Sequence, residues 1–366
     1  MKSHLEKLEH YFGKISPILI RPTTTSITIS LSQRFFLFQL MKKAVDIIEN
    51  DPYMNFISLL KGYKVLGNFL YGTIHEFYRD RNEFYFKNFF IDKELYKIIK
   101  EEMETLVKNH PYMRVTITKK GIIIYDNYKK NQFNVLLMTM HGGAWLPKNL
   151  NNKIALTPKQ TLQEEDMGTS QIYRNIVLKK AGIWIDNKQS RFGCDYNRSM
   201  LRCIYSEKSE TWLPGNKMWK EDLSKEEISQ IHENYKEFYF MLEKLVDAYR
   251  FNIIFDGHSM NSKEGRPDLS FGTEHIPRFY LPIVKSMRRK LISLGYHSIK
   301  FNTPYGGGHI LHWLNKKFPD IFIFTMEINK CIYMNKANDK INSNKAKQLS
   351  QNLVQIFDII DEEDVE

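Results

Sequence analysis

Three short apolar runs constrain the fold of this chain most. They are "FNVLLMTM" (133–140), "FNIIFDG" (251–257) and "IFIFTMEIN" (321–329). Each has the length and composition of a strand buried on both faces. The stretches between them hold helical patterns, "SKEEISQIHENYKEFYFMLEKLVDAY" (224–249) and "HIPRFYLPIVKSMRRKLISLGY" (275–296). Strands alternating with amphipathic helices predict an α/β domain with a mostly parallel or mixed sheet. "MRVTITKKGIIIYD" (113–126) predicts a hairpin that turns at Lys119-Lys120-Gly121, and "NIVLKKAGIWID" (175–186) a further strand. The tail from Lys345 predicts a final helix with an acidic end.

The ends of the three runs are polar. The first leads into His141-Gly142-Gly143, the second into His258-Ser259, and the third contains Glu327. In open α/β sheets, ligands sit beyond the carboxyl ends of the strands. If the three strands are parallel neighbours, His, His and Glu converge there. Two histidines and a carboxylate form the protein ligand set of a catalytic zinc, and a further glutamate serves zinc hydrolases as general base. The carboxylates at hand are Asp166, Asp256, Asp268 and Glu327. The bland alternative is that each histidine caps or fills a core. Glu327 resists that reading, since a carboxylate inside "FIFTMEI" is costly to bury unless something pairs with it.

Other polar stretches share this character. "RFGCDYNRS" carries Asp195, Asn197 and Arg198, and "EGRPDLSFGT" carries Arg266 and Asp268. Guanidinium groups beside a metal site suit a substrate carboxylate, although loop salt bridges use the same residues. "TPYGGGHI" reads as backbone that turns sharply or comes close to a ligand; it lacks the lysine and spacing of a phosphate-binding loop. His309 and His312 read as helix-surface histidines.

Bulk composition excludes little. The formal net charge of +11 is spread along 366 residues with no long basic run, which speaks to solubility more than to a nucleic-acid partner. Three cysteines without a CxxC pair are expected in a reducing compartment. No apolar run reaches the ~20 residues that span a bilayer, and the charged N-terminus has no signal-peptide block, so a soluble cytoplasmic protein is expected. Residues 1–111 read as a mainly helical extension, ahead of a metallohydrolase domain over 112–366. The extension holds one helix over 32–50 and another over 92–109. In the second, Leu95, Ile98, Ile99, Met103 and Leu106 share a face and Asp92 is the N-cap. Oligomeric state is not legible.

Taken in order, the motifs carry a resemblance: "MHGGAWLP", "DMGTSQIY", "DYNR", "DGHSM", "RPDLSFGT", "TPYGGG" and "MEINKCIYM". Each is short, but seven in one order, from Val135 to Met334, are specific. The chain resembles the N-formylglutamate amidohydrolases, relatives of the zinc carboxypeptidases. The resemblance implies a three-layer α/β/α fold with a twisted mixed sheet. It also implies one Zn²⁺ held by His141, His258 and an acid. Carboxypeptidases take that acid three residues after the first histidine, where this chain has Ala144. Asp166 occupies the matching motif, with Glu164 and Glu165 as neighbouring alternatives. By the same resemblance Glu327 is the general base, and Asn197 and Arg198 grip a substrate carboxylate; Arg266 and Tyr305 are further candidates for substrate contact. The implied activity is hydrolysis of an N-acyl, possibly N-formyl, amino acid, a small carboxylate. A carboxypeptidase-like action on short peptides, or a non-catalytic binding protein using its basic surface, are the alternatives.

Overall fold

The strand that most needs a buried setting, 253–260, lies in the middle of a sheet. The structure is a computed structural model. It describes residues 74–80, 83–87, part of 92–113, and 114–362 apart from 119, 207–216, 336 and 338. The chain divides into two compact units, Met1–Ile124 with Lys236–Tyr249, and Tyr125–Tyr235 with Arg250–Glu366.

In the first unit, β1 (Ile74–Asp80) and β2 (Glu83–Lys87) pair antiparallel, and β1 pairs antiparallel with β3 (Arg114–Thr118). These first two strands lie in the stretch expected to be mainly helical. The helix expected over 32–50 lies outside the described residues. The one over 92–109 is described in part. Asp92 Oδ1 accepts from the backbone N–H of Glu94 and Leu95 (3.0 and 3.2 Å), as an N-cap does. Leu95, Ile99 and Leu106 are buried, whereas Ile98 is 43% exposed and falls off the apolar face. The side chain of Met103 lies outside the described residues. The expected hairpin is present: β3 is followed, after a turn with Gly121 at φ 82°, by β4 (Ile122–Asn127).

The second unit is built on a mixed seven-stranded sheet. Its strands, in chain order, are β4, β5 (Val135–Thr139), β6 (Gly182–Asn187), β7 (Ile253–Met260), β8 (Leu269–Gly272), β9 (Ile299–Phe301) and β10 (Phe322–Asn329). In space they run β4-β6-β5-β7-β10-β8-β9. β6, β5, β7 and β10 are mutually parallel, and β8 runs antiparallel to β10. All residues of β5, β7 and β10 are buried, which is why these strands read as continuous apolar runs.

One face of the sheet is covered by the helix Ser343–Glu362, whose Phe357 meets Phe255 of β7 and Phe324 of β10 (ring centroids 5.4 and 6.3 Å). Tyr173 packs on the same face against Phe255. Successive side chains of a strand point to opposite faces, so Asp256 and His258 project from the other. This is the α/β class the sequence implied.

One strand expectation needs correction. Of "NIVLKKAGIWID", only Gly182–Asn187 is strand; Asn175–Lys179 is a helical turn with Ile176 and Val177 buried. Gly182 separates the two states. Its φ of 135° is open to glycine, and a Cβ there would collide with the Val135 backbone. Among the described residues, no helix is long and apolar enough to cross a membrane.

Candidate active site

β5, β7 and β10 are adjacent and parallel, so the polar residues at their carboxyl ends come together. His141 follows β5, His258 sits near the end of β7, and Glu327 lies opposite His258 in the register of β10. Asp166 arrives from a different direction. It follows the helix Pro158–Glu164, and its backbone N–H donates to the His141 carbonyl at 2.9 Å. Lys330, just past β10, fixes this segment. Its buried ammonium donates to the carbonyls of Leu162 and Gln163 and to Asn261 Oδ1 (3.3, 2.7 and 3.0 Å).

The two imidazoles are held the same way round. Nδ1 of His258 and Nδ1 of His141 both face Asp166 Oδ2, at 2.9 and 3.7 Å. Each Nε2 meets another buried carboxylate: His141 bonds Asp195 Oδ1 at 2.7 Å, and His258 bonds Asp256 Oδ2 at 2.8 Å. A carboxylate accepts, so each Nε2 donates to its outer carboxylate, and with an ion held beside Asp166 each Nδ1 would present its lone pair on that side. The ligand atoms of His141, Asp166 and His258 lie within 4.8 Å of one another, and the group can hold a metal ion. Outer carboxylates that fix the tautomer of ligating histidines are a recurring feature of such centres. The donor types, two imidazoles and one carboxylate, are those that zinc takes.

Electrostatics follow from this crowding. Burial alone would raise the Asp166 carboxyl, but the two imidazoles outweigh it and hold the group well below the usual range. Burial likewise works against the His258 imidazolium, yet Asp256 and Asp166 push its pKa well above the ordinary value. Glu327 goes the other way. Burial and the charges of Asp166 and Asp256 push it up to about 8 against the pull of His258, and its Oε2 has no hydrogen-bond partner among the described residues.

Asp195 anchors the opposite wall. Its Oδ1 accepts from His141 and the Asn197 backbone, and its Oδ2 accepts from the Tyr205 hydroxyl at 2.6 Å and Arg191 at 3.1 Å; Arg198 Nε lies 3.3 Å away. Asn197 is committed at both ends. Its backbone carbonyl and Oδ1 accept the N–H groups of His309 and Ile310 at the start of the helix His309–Lys317, and Nδ2 lies 3.2 Å from His258 Nε2. Gly308 has no room for a side chain because the Asn197 amide fills that space.

A cavity of about 390 Å³ opens over these groups. Its walls include His141, Asp166, His258, Glu327, Asn197, Arg198 and Tyr305, together with Glu164, Arg191 and Arg202. Most of the residues singled out in the sequence therefore meet in one place. Arg266 does not line the cavity; it donates to the Asn261 carbonyl and lies beside Tyr305. Asp166 faces the imidazoles, whereas Glu165 accepts from the Ser190 hydroxyl at 2.6 Å and Glu164 from Asn261. Asp268 accepts from the Ser298 backbone, away from the cavity, and His312 pairs with His275. Gly257 leaves its space to the Tyr173 ring, 2.5 Å from where a Cβ would sit, on the face away from Asp256 and His258. The roles of Arg191, Arg202 and Tyr205 had no signal in the sequence beyond their nearness to "DYNR".

Comparison with solved structures supports the fold. The crystal structure of an N-formylglutamate amidohydrolase from Ralstonia eutropha JMP134 aligns with a TM-score of 0.52 at 18% identity, covering 66% of this chain and 97% of that one. A gene product of Agrobacterium tumefaciens aligns at 0.49 and 16% identity, over 66% and 96%. A metallo-carboxypeptidase from Pseudomonas aeruginosa aligns at 0.36 and 10% identity, over 71% and 68%. No curated protein matches the chain. The class is therefore a hydrolase of α/β fold whose His–Asp–His group can hold a metal ion. The family described as N-formylglutamate amidohydrolase matches residues 133–334, more than half the sequence, and the chain belongs to it.

Proposed function

We propose that the protein is a zinc-dependent amidohydrolase that cleaves the amide bond of an N-acyl amino acid, N-formylglutamate or a close analogue. One observation carries the reading: two imidazole Nδ1 atoms aim at one Asp166 oxygen while carboxylates hold both Nε2 atoms, with Glu327 beside them in the same cavity. His141 Nδ1, His258 Nδ1 and Asp166 would hold the ion. When bound, zinc would supply Lewis acidity towards a water and the amide oxygen, and its charge would favour the ionised form of Glu327, which without it is raised to about 8. Glu327 then takes a proton from the attacking water and passes it to the leaving nitrogen. Arg198 faces the substrate carboxylate and sets the amide against Glu327, so that binding energy becomes positioning.

The test is metal content together with one substitution. Purified protein should carry about one zinc per chain. Glu327→Gln should retain it and lose roughly 10²-fold or more in turnover of N-formylglutamate, the scale of general acid–base catalysis. Protein without stoichiometric zinc, or a fully active Glu327→Gln variant, would overturn the reading.

A further inference from the structure

Three guanidinium groups line the cavity, and they differ in what already holds them. Arg191 is spent on the protein: Nε bonds the Tyr205 hydroxyl, Nη1 the Glu164 carbonyl and Nη2 Asp195 (2.7, 3.0 and 3.1 Å). Arg198 lines the cavity with Nε against Asp195 and its guanidinium 4.0 Å above the Tyr205 ring, which fixes its plane. Arg202 has neither constraint. Its side chain is exposed, lines the cavity, and makes no hydrogen bond or ion pair among the described residues.

Its backbone is nevertheless well placed. Arg202 closes the short turn Met200–Arg202, with its N–H on the Ser199 carbonyl at 2.8 Å. The next residue, Cys203, is buried, and its carbonyl accepts from the Asp195 backbone at 2.8 Å. The turn is thus tied to the same aspartate that holds His141. Among the described residues none of the wall's acids pairs with this cation: Asp166 is engaged by the imidazoles, Glu164 Oε1 accepts from Asn261, and Glu327 sits beside His258 on the next strand.

We infer that Arg202 is the specificity-determining residue of the cleft and reads a second carboxylate, on the substrate's side chain, while Arg198 faces the first. This rests on the amidohydrolase reading and adds to it the residue that recognises the side chain. A guanidinium pairs with a carboxylate through two parallel N–H···O bonds, which an uncharged amide of the same shape cannot reproduce.

The experiment compares two isosteric pairs on the full-length, zinc-loaded protein. Turnover of N-formyl-L-glutamate and N-formyl-L-glutamine is measured alongside calorimetric binding of L-glutamate and L-glutamine, for wild type, Arg202→Gln and Arg202→Lys. Arg202→Gln should weaken kcat/KM for the acid by ~10–100-fold, mostly through KM, while the glutamine substrate changes little. Arg202→Lys should recover part of the loss. Arg202→Gln should also abolish a wild-type preference for binding glutamate over glutamine. An equal loss on both members of a pair, or an unchanged preference, overturns the inference. A wild type that hydrolyses neither substrate overturns the amidohydrolase reading instead, and the binding preference then decides the role of Arg202 alone.

Discussion

Asp195 is the residue whose replacement should be felt most widely. It is fully buried, and its two oxygens gather an imidazole, a backbone N–H, a phenol and two guanidinium groups. Three of those groups are cationic or can become so, and together they hold its carboxyl well below the usual range despite burial. Asp195→Asn keeps the shape but not the charge. The amide oxygen can still accept from His141 and Asn197, but its NH₂ then confronts Tyr205, Arg191 and Arg198, which are all donors. Breaking a buried ion pair by removing one partner costs about 3–5 kcal/mol. At ~2–4 °C per kcal/mol for a unit of this size, melting should fall on the order of 10 °C. Thermal unfolding by circular dichroism measures this directly. Zinc affinity, read by chelator competition, should fall ~10–100-fold, because Asp195 orients His141. A melting temperature within about 2 °C of wild type, or an unchanged zinc affinity, would refute the role assigned to this carboxylate.

Glu165 gives a pH-dependent prediction. Burial, against the pull of Ser190 and Lys330, pushes its pKa from 4.5 to about 7, so the folded state holds a proton that the unfolded chain releases. Stability should therefore fall as pH rises from about 4.5 to about 7, by up to about 3 kcal/mol. Glu165→Gln should narrow the gap in melting temperature between pH 5 and pH 8; an equal gap in both proteins would count against the shift. Gly308→Ala should destabilise by about 1–3 kcal/mol, seen as a lower urea midpoint, because the new methyl group meets the Asn197 amide, which Ile310 already holds.

The fold class was legible because burial on both faces leaves a strong mark on composition. β5, β7 and β10 could be read as strands, and their polar ends as one sheet edge, before any neighbour was known. The strand expected over 175–186 formed only in part, since Ile176-Val177 and Ile183-Trp184-Ile185 are alike as apolar runs. The helical turn and the strand were separated by Gly182, whose backbone meets Val135 some fifty residues earlier.

What the sequence alone determined was therefore which polar residues gather at one edge of the sheet. His141, His258 and Glu327 sit where parallel strands end, and Asp166 stands in a recognisable motif. Only the tertiary structure decided which atoms face inward. Asp195 closes on His141 across 54 residues, Asp166 on His258 across 92, and Tyr173 occupies the space beside Gly257. The physical reason is that strand periodicity is local and survives in the sequence. The direction of an imidazole depends instead on carboxylates brought to it by loops, and their approach is set by packing between segments far apart in the chain.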